Sequence, residues 1–488
     1  MKEKSIKGGR YPWKVSFRDP AGKLFVIDDR IIRLVNGASA SDISTFLNTK
    51  TAKAFVENKK LIFTKILENA EGKSLLRQAE FNDSLDDEIG GLIAEHEKVQ
   101  FLSFPYEWVP EMLHEAGQLT LDLAEASLAE GFGLKDATPY NILFRGPEPV
   151  FVDILSFERR DPGDLTWLPY AQFMSSFLLP LLVNKHFGIP LDVIFTVRRN
   201  GLEPEEVYKL CGGFRRLLPP FLTQVSIPTW LTAGRNDTQR KIYERKSVSN
   251  TEKARFVMKS LFRRLRRQLA KLAPKDTKKS VWSDYTSDKS SQDDFIEKRK
   301  FVEGAVAEFS PKIALDVGCN TGYFSNIVAK GGAKVVAIDS DPVVVSETWE
   351  NARNANLDIL PLVIDITRPS PNIGWHNREC PSFLDRACGS FDMVLMLAVI
   401  HHMIVSERIP LSEVIDLAAE LTNNHLIIEF IPPDDPLFSK ITRGRDHLFT
   451  DLTRELFEDI SSRHFEIIRS ERLGQTKRWL YLMRKKGG

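Results

Sequence analysis

Apolar residues fall in short unbroken blocks over the last third of the chain and in alternation near its start. Ile313-Ala314-Leu315 with Val317 forms one block, residues 334–338 a second and 359–364 a third. Such blocks suit strands covered on both faces, as in a parallel sheet layered between helices. Helical spacing predicts helices over 293–309, 323–330 and 342–354 around these blocks. Gly331-Gly332 stops the second of these helices, and Pro342 stands just inside the start of the third. Further strands are expected at 389–396, 426–430, 464–469 and 477–483, which complete a mixed α/β sheet.

The start of the chain has the other rhythm. Residues 13–35 alternate as WKVSF, KLFVID and RIIRLV, with turns at Pro20-Ala21-Gly22 and Asp28-Asp29. That pattern predicts a small antiparallel meander. Ser39 or Ser41 is placed to cap a helix running towards Val56. Residues 61–67 and 99–106 read as extended or partly buried segments, 118–130 as a helix and 149–152 as a strand. Residues 165–230 read as helical with Leu-Pro interruptions, and Phe177, Phe187 and Phe214 are expected in its core. The longest apolar run, 173–183, holds Pro180 and is about half the ~20 residues needed to span a bilayer, so a buried helix is expected.

Residues 251–272 form a basic amphipathic pattern. Phe256, Leu261, Phe262, Leu265, Leu269 and Leu272 recur at helical spacing, while Lys259, Arg263, Arg264, Arg266, Arg267 and Lys271 cover the rest. One reading is an interdomain helix with a solvated face. The other is contact of residues 252–272 with an acidic partner, either RNA phosphate or a membrane surface. A polar linker follows at 275–279. The chain's 488 residues exceed one typical core. The divisions expected are 1–160 as an α+β domain, 161–250 as a helical subdomain, 251–280 as the basic helix and linker, and 281–488 as an α/β domain. A net charge of +1 argues against a protein that coats nucleic acid. The four cysteines, Cys211, Cys319, Cys380 and Cys388, lack metal-ligand spacing and suit reduced thiols. The first residues have no apolar segment of the secretory kind. A cytoplasmic protein is expected.

Chemistry concentrates after the first C-terminal block. Asp316-Val317-Gly318-Cys319-Asn320-Thr321-Gly322 turns the chain, and the second block ends in Asp339-Ser340. Glycines let backbone approach a ligand closely. An acid roughly twenty residues past such a turn is placed to hold ribose hydroxyls. The turn departs from the dinucleotide pattern, because Asp316 would meet a phosphate as a like charge. It resembles motif I of class I S-adenosylmethionine (SAM) methyltransferases, and Gly389-Ser390-Phe391-Asp392-Met393-Val394 resembles the GxFDxV start of motif IV. The resemblance covers residues 281–486 and implies SAM as cofactor. It implies that Asp316, Gly318, Cys319, Asn320 and Gly322 face the cofactor's amino-acid tail. Asp339, with Ser340, then binds the ribose, Asp365 the adenine amino group, and Trp282 and Tyr285 give aromatic cover. Residues 281–486 are expected to bind the cofactor alone.

A second resemblance lies upstream. Asp136, Asn141 five places on and Asp153 at the end of a strand resemble the catalytic loop and metal-binding acid of protein-kinase-like folds. Leu134-Lys135 replaces the usual histidine pair there, and neither a glycine-rich loop nor a Lys–Glu pair is assignable. These residues are open between a polar loop, a substrate or ligand pocket and phosphotransfer.

The fourth strand runs into His401 and His402. In an open α/β sheet, ligands bind outside the carboxyl ends of the strands. Both histidines therefore fall near the methyl-transfer centre, where an imidazole can take a proton from a hydroxyl or amine. Glu429 and Asp435, after the fifth strand, are candidates for orienting a substrate. The whole chain, including LKDATPYNILF and VFVDILSFE, resembles bacterial two-part methyltransferases of the nodulation-protein-like kind. The fold class expected is α/β, a Rossmann-like methyltransferase sheet preceded by an α+β half with a kinase-like catalytic loop. The function expected is methyl transfer from SAM to an O or N nucleophile, with a substrate-recruiting N-terminal half and no metal. The rivals are a SAM-binding protein without turnover and a bifunctional protein with an ATP-binding N-terminal half.

Overall fold

A computed structural model describes residues 14–16, 19–78, 91–233, 247–274, 292–474 and 476–487. Trp282 and Tyr285 lie outside the described residues. The chain divides into two compact units, and no single cut separates them. The first holds residues 1–100, 112–143 and 149–274; the second holds 101–111, 144–148 and 275–488. Neither 160 nor 250 divides the two units, while their last boundary, after Pro274, falls at the start of the expected linker at 275–279. The helical stretch and the basic helix join the first unit, and two short segments from upstream join the second.

The first unit opens with strands β1 (Lys14–Ser16), β2 (Gly22–Ile27) and β3 (Arg30–Val35). Asp28 and Asp29 both take positive φ in the β2–β3 turn, the conformation that matches the twist of a hairpin. Helices α1 (Gly37–Leu47) and α2 (Lys50–Glu57) follow. Asn36, rather than a serine, caps α1, accepting from the Ser39 amide, and Thr49 caps α2. The expected single helix is therefore two. Strand β4 (Thr64–Ile66), helix α3 (Asn69–Gln78) and strand β5 (Leu92–His96) complete an antiparallel sheet of order β1-β2-β3-β5-β4. Residues 99–106 are not a strand; β5 lies before them.

Helix α4 (Pro110–Leu128) starts eight residues ahead of the expected position, with proline at its first turn. Short strands β6 (Phe132–Leu134), β7 (Ile142–Arg145), β8 (Glu148–Phe151) and β9 (Phe157–Arg159) pair as β6–β9 and β7–β8. Helices α5 (Tyr170–Phe173) and α6 (Leu179–Phe187) are joined by a π turn at Met174–Leu178. After them come α7 (Leu191–Val197), α8 (Pro204–Leu210), α9 (Ile227–Ala233) and the basic helix α10 (Thr251–Leu272). Helix α10 buries Ala254, Met258, Phe262, Leu265, Leu269 and Leu272, while Phe256 is 72% exposed and off the stripe. It lies against α4 at Gly117, where a Cβ would stand 3.4 Å from Leu269. Its Arg266 pairs with Asp122 and Glu125 of α4. Of the three phenylalanines expected in the core, Phe177 is fully buried, Phe187 is partly covered and Phe214 is exposed.

The second unit is a layered α/β sheet. Its elements are α11 (Gln292–Phe309), β10 (Ile313–Val317), α12 (Tyr323–Lys330), β11 (Lys334–Asp339), α13 (Pro342–Asn354), β12 (Ile359–Val363), α14 (Phe383–Ala387), β13 (Phe391–Met396), α15 (Ile400–Val405), α16 (Leu411–Leu421), β14 (Thr422–Phe430), α17 (Pro436–Thr442), α18 (Arg454–Ser462), β15 (Phe465–Arg472) and β16 (Trp479–Lys485). The strand order is β12-β11-β10-β13-β14-β16-β15. The first five are parallel, and β16 inserts antiparallel between β14 and β15. Every residue of β10 is buried, as its apolar block requires. The order reverses between β10 and β13, which opens a crevice at the carboxyl ends of both strands.

The two upstream segments close this unit's flank. Glu107, fully buried, accepts hydrogen bonds from Arg386 and from Ser370 Oγ at 2.5 Å. The Arg386 guanidinium lies 5.0–5.8 Å from the rings of Phe104, Phe101 and Phe383. At the other segment the Trp349 indole donates to the Pro147 carbonyl at 3.0 Å.

Candidate active site

The turn after β10 is built to leave room. Gly318 and Gly322 take φ of +73° and +77°, conformations that a side chain would strain. A Cβ at Gly318 would fill the cradle, 3.3 Å from the Val399 side chain, and one at Gly322 would strike Thr348. The amides of Gly318 and Cys319 both donate to the Ile338 carbonyl, at 2.9 and 3.0 Å, which ties the turn to β11. Thr348 Oγ1 donates to the Asn320 carbonyl at 2.8 Å.

Asp339 stands at the end of β11, facing this turn. Its Oδ2 accepts from the Asn320 amide and its Oδ1 from the Asp341 amide, each at 3.0 Å. Burial raises its pKa, against these amides and that of Ser340. Each oxygen keeps a second lone pair for a ligand hydroxyl. The cradle and the carboxylate beside it fit the amino-acid tail and ribose of SAM. Ser340 is exposed next to it.

Asp316 lies beneath the turn. It is buried and accepts from Ser325 Oγ at 2.6 Å. Burial pushes its carboxyl up to about 6, opposed by Ser325 and assisted by the charge of Asp339. Cys319 is also buried, and burial, with the two acids, raises its thiol well above the ordinary range. Asp365 spends its oxygens on its own turn, accepting from Thr367 N at 2.9 Å, Thr367 Oγ1 at 2.5 Å and Arg368 Nε at 3.2 Å. Burial raises its pKa, but these donors outweigh burial and the net shift is downward.

The other wall follows β13. Ala398 takes φ +52°, an uncommon strain for a residue with a Cβ. It turns the chain so that Val399 meets Gly318 and α15 begins at Ile400. His401 is 3% exposed, and its Nδ1 has no hydrogen-bond partner. Burial, then the charges of His402, Arg478 and Lys298, hold its pKa down to about 2. Burial lowers His402 as well. At the end of β14, Glu429 Oε2 accepts from Lys298 Nζ of α11 at 2.7 Å, both side chains buried. Its Oε1 has no hydrogen-bond partner. Arg478 binds Asp435 in a two-pronged ion pair at 2.8 and 3.0 Å.

Lys298 and Arg478 escaped the sequence reading. Lys298 sits in a charged Glu-Lys-Arg-Lys run that reads as a solvated face, and Arg478 adjoins the basic Lys477. Their signal is spatial: each neutralises an acid that the sequence did single out.

Residues 315–414 match the family model described as a methyltransferase domain. The chain carries a methyltransferase domain. The methyltransferase is 29% identical over 472 residues to nodulation protein NoeA of Rhizobium meliloti (strain 1021), covering 96% of this chain and 94% of that protein. Among solved structures it is similar to magnesium protoporphyrin IX methyltransferase (ChlM) of Synechocystis PCC 6803. That match has 19% identity and a TM-score of 0.31, over 41% of this chain and 88% of the other. The N-methyltransferase NodS of Bradyrhizobium japonicum WM9 matches at 14% identity and a TM-score of 0.30, over 40% and 97%. The methyltransferase uses SAM, and no helix among its described residues is long and apolar enough to cross a membrane.

In the first unit, Asp136, Asn141 and Asp153 come into one polar region. Asp153 pairs with Arg33 of β3 at 3.1 Å and accepts from Ser156 Oγ at 2.7 Å. Asn141 donates to Ser156 Oγ at 2.9 Å. Burial, then the charge of Asp153, raises the pKa of Asp136. Arg33 Nε donates to His96 Nε2 at 3.2 Å, so the imidazole proton sits on Nδ1, beside Thr64 Oγ1 at 2.8 Å.

A pH effect follows from His401. An imidazole that stays neutral in the fold and charges when unfolded lowers stability as pH falls below its ordinary value near 6.5. The loss is about 1.4 kcal/mol per pH unit until the folded group itself titrates. His401→Asn removes this term. Thermal melts of the second unit from pH 7 to pH 5 are expected to decline less steeply in the variant. Parallel declines would show that His401 titrates in the fold as it does in the unfolded chain.

Proposed function

We propose that the chain transfers the methyl group of SAM to an acceptor carrying an O–H or N–H group at the carboxyl ends of β13 and β14. The supporting observation is Glu429 Oε1, a fully buried carboxylate oxygen without a partner. Its charge is met by Lys298 on the other oxygen, so what it lacks is a hydrogen-bond donor. A neutral hydroxyl or amine supplies one; a carboxylate does not. SAM provides an electrophilic methyl on a sulfonium. Glu429 accepts the acceptor's hydrogen, aims the nucleophile's lone pair and takes the proton as the new C–O or C–N bond forms and the C–S bond breaks. Neutral His401 offers the same wall no competing charge, and Asp435, held by Arg478, fixes its rim. Asp339 holds the ribose, and Gly318, Cys319, Asn320 and Gly322 leave space for the amino-acid tail.

Tritiated methyl transfer into native-host extract, fractionated into protein, RNA, glycan and small molecules, tests this reading. Glu429→Gln is expected to reduce incorporation by about 100-fold or more while SAM still binds. Binding without incorporation in any fraction would leave a SAM-binding protein without turnover.

A second reading concerns the first unit, where the kinase-like trio of Asp136, Asn141 and Asp153 gathers beside an antiparallel sheet. Asp153 is already neutralised by Arg33, which competes with a metal ion for its carboxylate. We therefore expect no ATP turnover at kinase rates. Mg²⁺-dependent turnover near 1 s⁻¹ or above, lost in Asp153→Ala, would assign phosphotransfer to this unit. Free thiols and the cofactor's chemistry suit the cytoplasm.

A further inference from the structure

The first unit carries an exposed apolar surface that methyl transfer does not use. Half of the large apolar residues standing exposed among the described residues fall within residues 193–231. The densest stretch is the turn Gly212-Gly213-Phe214-Arg215-Arg216-Leu217-Leu218-Pro219. Phe214 is 75% exposed, with Leu217 and Leu218 beside it, and Leu210, Ile227 and Trp230 are exposed nearby. These residues share one assembly. The Trp230 indole lies 3.2 Å from Tyr208 Oη. Arg216 stacks on Tyr208, 3.9 Å from its ring centre, and donates to the carbonyls of Tyr208 and Cys211. Ser226 Oγ donates to the Arg216 carbonyl at 2.8 Å.

Charge completes the surface. Residues 207–231 contain no Asp or Glu but include Lys209, Arg215 and Arg216. Arg215 leans on Phe187 and Phe221, where α6 meets this assembly. Lys185 of α6 donates to the carbonyls of Lys271 and Ala273, so the basic helix α10 ends on the same element. Its Arg263, Arg264, Arg267 and Lys271 are exposed, and the helix has a single acid, Glu252. Scattered apolar side chains need no explanation, but several together on one turn mark a docking surface. The acids of α8, Glu205 and Glu206, are engaged by Thr232 and Arg198. Large apolar side chains with Lys209 and Arg215 beside them match an anionic bilayer, whose interface accepts the former and whose headgroups attract the latter. Nucleic acid would engage the cations and can stack a base on Phe214, but it leaves Leu210, Leu217 and Leu218 in water.

We propose that residues 207–231, with the basic face of α10, dock the protein on the surface of an anionic phospholipid bilayer, with Phe214, Leu217 and Leu218 entering the interface. Flotation of the full chain with vesicles tests this. It is expected to float with phosphatidylcholine–phosphatidylglycerol vesicles, to bind phosphatidylcholine alone far less, and to be released as salt rises from about 0.1 to 0.5 M. Phe214→Asp with Leu217→Asp is expected to weaken partitioning at least about tenfold. SAM affinity and the melt should match the parent, since both side chains already stand in water. Three results would each overturn the proposal. One is absence of binding to anionic vesicles, and another is equal binding by the variant. The third is a concentration-dependent dimer, seen by light scattering, that the same variant dissolves, because a second copy would then cover this face.

Discussion

Asp339→Ala is expected to lower SAM affinity by about 30- to 1,000-fold. The carboxylate has one lone pair on each oxygen committed to the amides of Asn320 and Asp341. The remaining lone pairs are available to the ribose 2′- and 3′-hydroxyls. Two charge-assisted bonds at about 1.5–3 kcal/mol each set a ceiling of about 3–6 kcal/mol. Water entering the gap returns part of that, leaving about 2–4 kcal/mol, which converts to the stated range. The substitution also strips two amides of their acceptor, so the turn itself loosens and the loss should sit in the upper part of that range. Asp339→Asn keeps one acceptor oxygen and should be milder. Titration calorimetry on the full chain reads both variants. An alanine variant that melts like the parent and binds SAM equally well would place the ribose elsewhere.

The second unit was the more legible half. Its parallel strands are apolar blocks because both faces are covered, and a block of that kind needs no partner to be recognised. Residues 342–354 were placed to the residue, since Asp341 caps the helix and Pro342 starts it. The N-terminal sheet was harder. Strand β5 is only five residues, and β3 on one side with β4 on the other make it a strand. Such pairing is non-local and leaves no trace in its own composition. The split between α1 and α2 depends on which of several polar residues caps, a choice among near-equal local bonds. The candidate site divides the same way. Glycines and strand-end acids announce themselves by spacing, whereas Lys298 and Arg478 matter only through acids 131 and 43 residues away. The exposure of Phe214 was misread for a related reason. A phenylalanine at helical spacing looks like core until the tertiary structure leaves its side uncovered.

Glu107→Ala is expected to destabilise the second unit by about 3–5 kcal/mol, although Glu107 lies more than two hundred residues before β10. The cost comes from Arg386. Its side chain is 5% exposed, with the Glu107 carboxylate as its ion-pair partner and three phenyl rings around the guanidinium. Removing the carboxylate leaves a buried cation uncompensated and also deprives Ser370 Oγ and the Phe104 amide of their acceptor. Glu107→Gln keeps the shape and two of the bonds, so its effect should be smaller. Replacing both partners, as Glu107→Leu with Arg386→Met, should recover most of the loss, because an apolar pair carries no desolvation penalty. A fragment of residues 281–488 goes further. It retains the described residues of the SAM turn yet loses residues 101–111 and 144–148. Phe383 and Phe391, both fully buried, then lose the cover of Phe101, whose ring centre lies 6.0 and 5.7 Å from theirs. Such a fragment is expected to melt without cooperativity and to bind SAM weakly, which reverses the expectation that the C-terminal half suffices. SAM binding is expected to report on this unit, so calorimetry with a thermal melt separates its stability from that of the first unit. A fragment that melts cooperatively at the parent's temperature and binds SAM as tightly would show that these upstream segments only decorate the fold.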